Sequence, residues 1–304
     1  MNTFGTFPLV VVVGDVITDL IVRLGAPLAV ASDTTAAIDT RAGGSGANVA
    51  AWLAWQGLEV HFVGCVGQDP FGAYHADDLR RRGVTTRLAV DRRRSTGTVV
   101  ALLDAAGERS MLADRGANLG LRPHHLPVEL FRPGACLHLS GYTLFEPETR
   151  ETALLALRLA RERGMLISVD PSSAAPLAAV GPDRFLAWTR GADLCFPNLD
   201  EGRLLGGARE PEAVARALCG WYGGVALTLG ARGVLWAAPG EPTLTGPVER
   251  AEVVDSTGAG DAFCAGFLAC WLSGAGAALA AGLRLGALAV SAVGARPAPP
   301  TNAM

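Results

Sequence analysis

Short, wholly apolar runs that alternate with stretches of helical periodicity constrain this chain more than any other feature. The runs Leu9–Val13, Val60–Val63, Cys136–Leu139, Leu166–Val169, Leu194–Phe196, Val225–Leu229 and Val234–Trp236 read as strands. Between them the spacing predicts helices over Ser45–Gln56, Gly72–Arg82, Glu148–Arg163 and Pro211–Trp221, then over Gly260–Leu272 and Ala275–Val293. A strand that is apolar at every position must be covered on both faces. Alternating strand and helix supplies that cover, with helices on each side of a mostly parallel sheet. The expected class is therefore α/β, an αβα sandwich.

Two regions break the alternation. Ile17 to Arg41 holds no convincing helix but contains the alternating stretch Asp19-Leu20-Ile21-Val22-Arg23. Thr85 to Leu112 reads as strands Leu88–Val90, Thr98–Leu103 and Arg109–Leu112, the last two joined by a turn at Asp104-Ala105-Ala106-Gly107. Residues 1–304 are thus read as a single domain, with about 16–41 and 85–113 contributing a small β-sheet lid over a ligand crevice.

Composition removes several functions. The chain has 304 residues, a net charge of −3 and no lysine, all 26 of its basic residues being arginine. The only basic blocks, Arg80–Arg82 and Arg92–Arg94, read as solvated surface, so no nucleic-acid partner is expected. The apolar run Pro8 to Val13 is too short for a leader, and Arg284 with several glycines interrupts Ala275 to Val293, so no membrane partner is expected. Cysteines 65, 136, 195, 219, 264 and 270 form no C-x-x-C pair and suit free thiols in a cytoplasmic protein. Without lysine there is neither a Walker A lysine nor a Schiff base. Phosphate must be held by arginine, backbone amides or a metal.

The densest chemistry lies in Asp255-Ser256-Thr257-Gly258-Ala259-Gly260-Asp261. Its glycines let the backbone approach a ligand, and the amides of Gly258, Ala259 and Gly260 at a helix start would form an anion site. Asp261 alone reads equally as a helix cap favoured by the dipole. Beside an anion cradle, a carboxylate also suits phosphoryl transfer to an alcohol, accepting the hydroxyl proton while the amides stabilise the transferring group. The helix start is expected to keep Asp261 ionised at neutral pH. In Gly43-Gly44-Ser45-Gly46-Ala47-Asn48, small residues admit a substrate and Asn48 can both donate to and accept from hydroxyls; a plain glycine-rich helix start is the alternative. In Thr228-Leu229-Gly230-Ala231-Arg232-Gly233, Thr228 could bind phosphate and Gly230 and Gly233 admit a nucleotide, or the stretch is a hairpin turn. Asn198 and Glu201 read as a capping box, or Glu201 holds magnesium through water. Asp15, following the first strand, is placed to bind hydroxyls.

Together these stretches resemble the ribokinase-like (PfkB-type) carbohydrate kinases. The C-terminal signature is Asp255 to Asp261; the N-terminal one is Gly43 to Asn48 with Val63-Gly64-Cys65-Val66-Gly67-Gln68-Asp69-Pro70-Phe71-Gly72 downstream. The likeness spans about Val10 to Gly294. It implies an αβα sandwich with a small β lid that in many members also makes a homodimer. It implies Asp261 as catalytic base and Gly258, Ala259 and Gly260 as anion hole, with Asp15, Gly43, Gly44 and Asn48 on the acceptor. Asn198, Thr228, Gly230 and Gly233 would serve ATP, and Glu201 magnesium through water. Asp255 and Thr257 would sit by a monovalent cation such as potassium, although Ala298 stands where ribokinases often carry serine.

The stretch Ser110 to Asn118 resembles that of kinases for unphosphorylated sugars, and Ser140-Gly141-Tyr142 departs from the ribose-contacting stretch of ribokinases. The implied function is ATP-dependent phosphorylation of a small sugar. A nucleoside kinase, with Tyr142 or Trp52 stacking on the base, is the runner-up; a catalytically silent sugar-binding protein comes next. A nicotinamide oxidoreductase is disfavoured, since no G-x-G-x-x-G follows the first strand.

Overall fold

The computed structural model of the chain describes residues 7–104, 109–247 and 251–299. Strands run in chain order as β1 (Val10–Val13), β2 (Ile17–Leu24), β3 (Ala36–Gly43), β4 (Val60–Gly67), β5 (Thr85–Asp91), β6 (Thr98–Leu103) and β7 (Arg109–Asp114). They continue as β8 (Cys136–Ser140), β9 (Leu166–Asp170), β10 (Leu194–Cys195), β11 (Gly224–Thr228), β12 (Val234–Ala237) and β13 (Leu244–Gly246). Helices are α1 (Ser45–Trp55), α2 (Pro70–Arg81), α3 (Tyr142–Phe145), α4 (Pro147–Glu162) and α5 (Ala174–Val180). The remainder are α6 (Pro182–Thr189), α7 (Leu199–Gly206), α8 (Pro211–Leu218), α9 (Ala259–Cys270) and α10 (Ala275–Val290).

Nine strands form one sheet in the order β13-β12-β11-β10-β9-β8-β1-β4-β5. Neighbours from β5 to β11 pair in parallel, and β12 and β13 add antiparallel strands at one edge. β1 shows why. All four of its valines are completely buried; Val11 and Val13 join the core under α4, α5 and α8, and Val10 and Val12 the core under α1, α9 and α10. Each buried valine contributes roughly 1.5–3 kcal/mol relative to exposure, so an uncovered face is not tolerated here.

The second sheet has the order β3-β2-β6-β7, with β2 and β6 parallel. Leu88–Val90, expected in this small sheet, instead lies in β5 and pairs with Gly64–Val66 of β4 at the edge of the large one. The physical reason is the β4–α2–β5 connection: a helix of that length returns the chain parallel to the strand it left. The small sheet therefore draws only on β2, β3, β6 and β7. The expected turn at Asp104-Ala105-Ala106-Gly107 falls largely outside the described residues. Helices α5 and α6 were not anticipated, being short and split by Gly181, which adopts φ 96°.

The ends of β1, β8, β9 and β11 and the starts of α1, α7 and α9 meet on one side of the large sheet, where parallel α/β sheets offer a crevice. The six cysteines are free. Among the described residues no helix is long and apolar enough to cross a membrane.

Candidate active site

A cleft of about 280 Å³ opens at this junction, room for a small ligand rather than a macromolecule. Asp15, Gly44, Asn48, Asn198, Glu201, Thr228 and Thr257 line it together with Gly258 to Asp261, as do Ile17, Asp19, Val99 and Met111 of the small sheet.

The start of α9 forms its floor. Gly258 caps the helix in the left-handed region (φ 77°) with no side-chain hydrogen bond. A β-carbon there would lie 2.6 Å from that of Ala295, so both the conformation and the packing require glycine. First-turn amides have no partner within their own helix; that of Ala259 reaches the Ser256 carbonyl only at 3.4 Å. A β-carbon on Gly260 would meet nothing within 4 Å, so the backbone there faces open space.

Asp261, half-buried, lies on the same turn and faces α1. Ser45 Oγ donates to its Oδ1 and Asn48 Nδ2 to its Oδ2, both at 2.9 Å. Both bonds favour the carboxylate, yet burial and then the like charge of Asp170 push Asp261 up to about 8. The expectation that the helix start holds it ionised at neutral pH is corrected: loss of solvent outweighs a partial helix charge. Asp170, ending β9, and Glu201 are raised for the same first reason, burial, with Glu201's charge acting on Asp170.

Asp15 follows β1 and is almost fully buried. It accepts from the Gly46 amide at 3.2 Å and from Ser140 Oγ at 3.4 Å, and pairs with Arg115 at 3.3 Å. The Arg115 guanidinium lies 4.2 Å from the centre of the Tyr142 ring. At α7 the capping box is formed: Asn198 Oδ1 accepts from the amides of Asp200 and Glu201 at 3.0 Å, and Glu201 accepts from the Asn198 amide at 2.9 Å. Asn198 Nδ2 also donates to Glu201 Oε1 at 2.6 Å, so both carboxylate oxygens are engaged.

Gly43, Gly230, Gly233 and Asp255 lie outside the cleft lining. Gly43 packs against Asp19; Gly233 closes a turn in which its carbonyl accepts from Leu229 at 2.8 Å, beneath the Gly246 carbonyl. Asp255 accepts from the amides of Thr257 and Gly294 at 2.9 and 3.1 Å, tying the loop before α9 to residue 294. Trp52 belongs to the core and donates to the Ala295 carbonyl at 2.9 Å, so it does not face the cleft. Asn118 bonds both the amide and the carbonyl of Val16 at 2.8 Å and shapes the turn after Asp15.

Sequence reasoning passed over Ser45, Asp170, Arg115 and Arg296. Asp170 carried a usable signal, an acid ending an apolar strand, the same rule that singled out Asp15. Arg296, which lies among prolines near the end of the described chain, is buried behind Asn48.

A mostly parallel sheet between helical layers, with a small second sheet beside a cleft of helix-start amides and carboxylates, is the ribokinase-like α/β architecture. The chain belongs to the pfkB family of carbohydrate kinases, whose sequence model matches residues 8–302. The fructokinase of Klebsiella pneumoniae is 34% identical over 278 residues, covering 85% of this chain and 88% of that protein. The fructokinase of Vibrio cholerae, solved with fructose, ADP and calcium ion bound, has a TM-score of 0.81 and 27% identity, covering 98% of each chain. The aminoimidazole riboside kinase of Salmonella enterica, solved with aminoimidazole riboside and an ATP analog, has a TM-score of 0.79 and 27% identity, covering 96% of each chain. The protein is accordingly a sugar kinase of this family, an enzyme that transfers a phosphoryl group to a hydroxyl.

Proposed function

We propose that the protein phosphorylates a hydroxyl of a small unphosphorylated sugar at the expense of ATP. The observation that carries this reading is the shared first turn of α9: the Asp261 carboxyl and the amides of Gly258 to Gly260 open into one cleft. Asp15 and Asn48 hold the acceptor hydroxyls, Gly44 leaving room for them. Asp261 takes the proton as the acceptor oxygen attacks, and the helix-start amides receive the charge of the transferring group. The phosphates extend toward Asn198 and Thr228, and the nucleotide past the turn containing Gly230 and Gly233. Glu201, already bound to Asn198, acts on magnesium through water; the metal, when bound, neutralises phosphate charge. Asp255 and Thr257 shape the loop that would hold a monovalent cation, a role read by comparing activity in potassium and in a large organic cation. The small sheet acts as a lid and as the contact of a homodimer.

A sugar is favoured over a nucleoside by the state of the two aromatic candidates for base stacking. One face of Tyr142 is covered by Arg115, and Trp52 lies in the core. Relatives of equal identity were solved with fructose and with a riboside, so this preference rests on the two aromatics.

The decisive experiment offers D-fructose, D-ribose, adenosine and aminoimidazole riboside with ATP and magnesium, and follows phosphorylated product by mass. A free sugar should be the best acceptor. Phosphorylation of nucleosides alone would replace this reading with the nucleoside kinase, and binding without turnover with a silent sugar-binding protein.

A further inference from the structure

Arg296 is the most deeply enclosed cation near the cleft, its side chain only 2% exposed. Its guanidinium is a three-way fork. Nη1 donates to Asp78 Oδ2 of α2 at 2.7 Å, Nη2 to the Gly43 carbonyl at 2.6 Å, and Nε to Asn48 Oδ1 at 3.0 Å. Asp78 has a second cationic partner, since Arg82 bonds it through Nε and Nη2 at 3.1–3.2 Å. Neutralising that buried carboxylate therefore does not by itself require Arg296.

The remaining two prongs of the fork have a chemical meaning. The ends of an asparagine amide are opposites: Oδ1 only accepts and Nδ2 only donates. Arginine offers donors alone, so it can face only Oδ1. That choice turns Nδ2 toward Asp261, where it donates to Oδ2. Without the arginine, Oδ1 loses its donor and the amide's orientation rests on Asp261 alone. The second prong fixes the Gly43 carbonyl, one residue before Gly44, whose φ of 95° starts the acceptor loop.

We propose that Arg296 is a positioning residue for phosphoryl transfer: it orients the Asn48 amide so that its N–H meets Asp261, and it pins the Gly43 carbonyl, fixing the carboxyl relative to the acceptor loop. This inference rests on the kinase reading above. Other groups that bear on Asp261 are Ser45 of α1, Asp15 after β1, Asp170 of β9, Glu201 of α7, Tyr142 of α3 and Cys264 of α9 itself. None of them lies on the segment that carries Arg296, so their fields are common to wild type and variants.

The test compares wild type, Arg296→Lys and Arg296→Gln. Lysine keeps the charge and a bond to Asp78, but its three donors share one nitrogen and cannot span the acceptors that Nε, Nη1 and Nη2 of Arg296 reach separately. If Arg296 serves only as a buried ion pair, Arg296→Lys recovers both the thermal midpoint and kcat. If it positions the amide, Arg296→Lys recovers the midpoint while kcat with D-fructose and MgATP stays about ten- to a hundred-fold down, at unchanged KM for ATP. A second readout needs no acceptor: infrared titration of the Asp261 carboxyl, with Asp261→Asn as baseline. Loss of the Asn48 donor should move its midpoint upward in Arg296→Lys, where the cationic charge is retained. Should Arg296→Gln fail to fold, Arg296→Lys decides alone. A wild-type titration midpoint or a wild-type kcat in Arg296→Lys overturns the inference. A wild type that phosphorylates no acceptor overturns the kinase reading instead, and the infrared midpoint still reports on the amide.

Discussion

Two helix starts open into the same cleft and treat their unsatisfied amides in opposite ways. At α7 the chain supplies its own acceptors, Asn198 and Glu201, in a closed box. At α9 the capping residue is Gly258, and no side chain covers the first turn. Every helix start carries amides that need a partner. A start that provides one has its amides satisfied within the chain. A start that withholds one leaves those amides open to a ligand, which in the proposed reading is the transferring phosphoryl group.

The largest expected effect is at the reserved end. Asp261→Asn should lower kcat by roughly 10²–10⁴ with little change in ATP binding; near-normal turnover would remove the base from α9. Because Asp261 is raised to about 8, wild-type kcat/KM should climb with pH through that range, and the variant should lose the limb. Stability carries the opposite sign. Between the ordinary carboxylate range and about 8 the folded state holds a proton that the unfolded state has released, so folding weakens as pH rises. Asp261→Asn should therefore gain more in thermal midpoint over wild type at pH 9 than at pH 5, checked by calorimetry. Equal gains would mean that the carboxyl titrates normally.

Next comes Gly258→Ala. Its β-carbon would be strained at φ 77° and crowd Ala295, so the α9 start must shift. Turnover should fall roughly a hundred-fold, measured beside Gly207→Ala at the far end of α7. Gly207, at φ 64° with nothing within 4 Å, should cost stability of about 1 kcal/mol and leave kcat alone. Similar kcat losses in both would erase the distinction between the two helices. The last is Asn198→Ala, which opens the α7 box and should lower unfolding free energy by about 1 kcal/mol in a denaturant titration and, from its proposed place beside the phosphates, raise KM for ATP. No loss there would mean that α7 does not depend on its side-chain cap.

The sheet and most of the site were legible because both are written in local patterns. Runs such as Val10–Val13 state their burial on two faces, and glycines at 258 and 260 state a close approach of backbone to ligand. The capping box of Asn198 and Glu201 is also a short-range signal, and it formed as read. What could not be read is set by distant partners. The Arg296 segment, with its prolines, looks like an exposed tail, and only the fold brings it to Asn48, 248 residues away. The protonation of Asp261 depends on Asp170, which reaches it from another strand. The membership of β5 in the large sheet follows from the α2 crossover rather than from its own alternation. Trp52 looked available for stacking because an aromatic on a helix does not announce which face it takes.

The contact between Arg296 and Gly43 joins residues 253 positions apart. Made in order on a ribosome, the loop that would grip the acceptor exists long before the arginine that pins it. A nascent chain can thus complete the sheet through β13 and most of its helices while the reaction centre is still unlocked. A chain that stops before residue 296 therefore lacks the guanidinium that bonds Asn48, Asp78 and the Gly43 carbonyl.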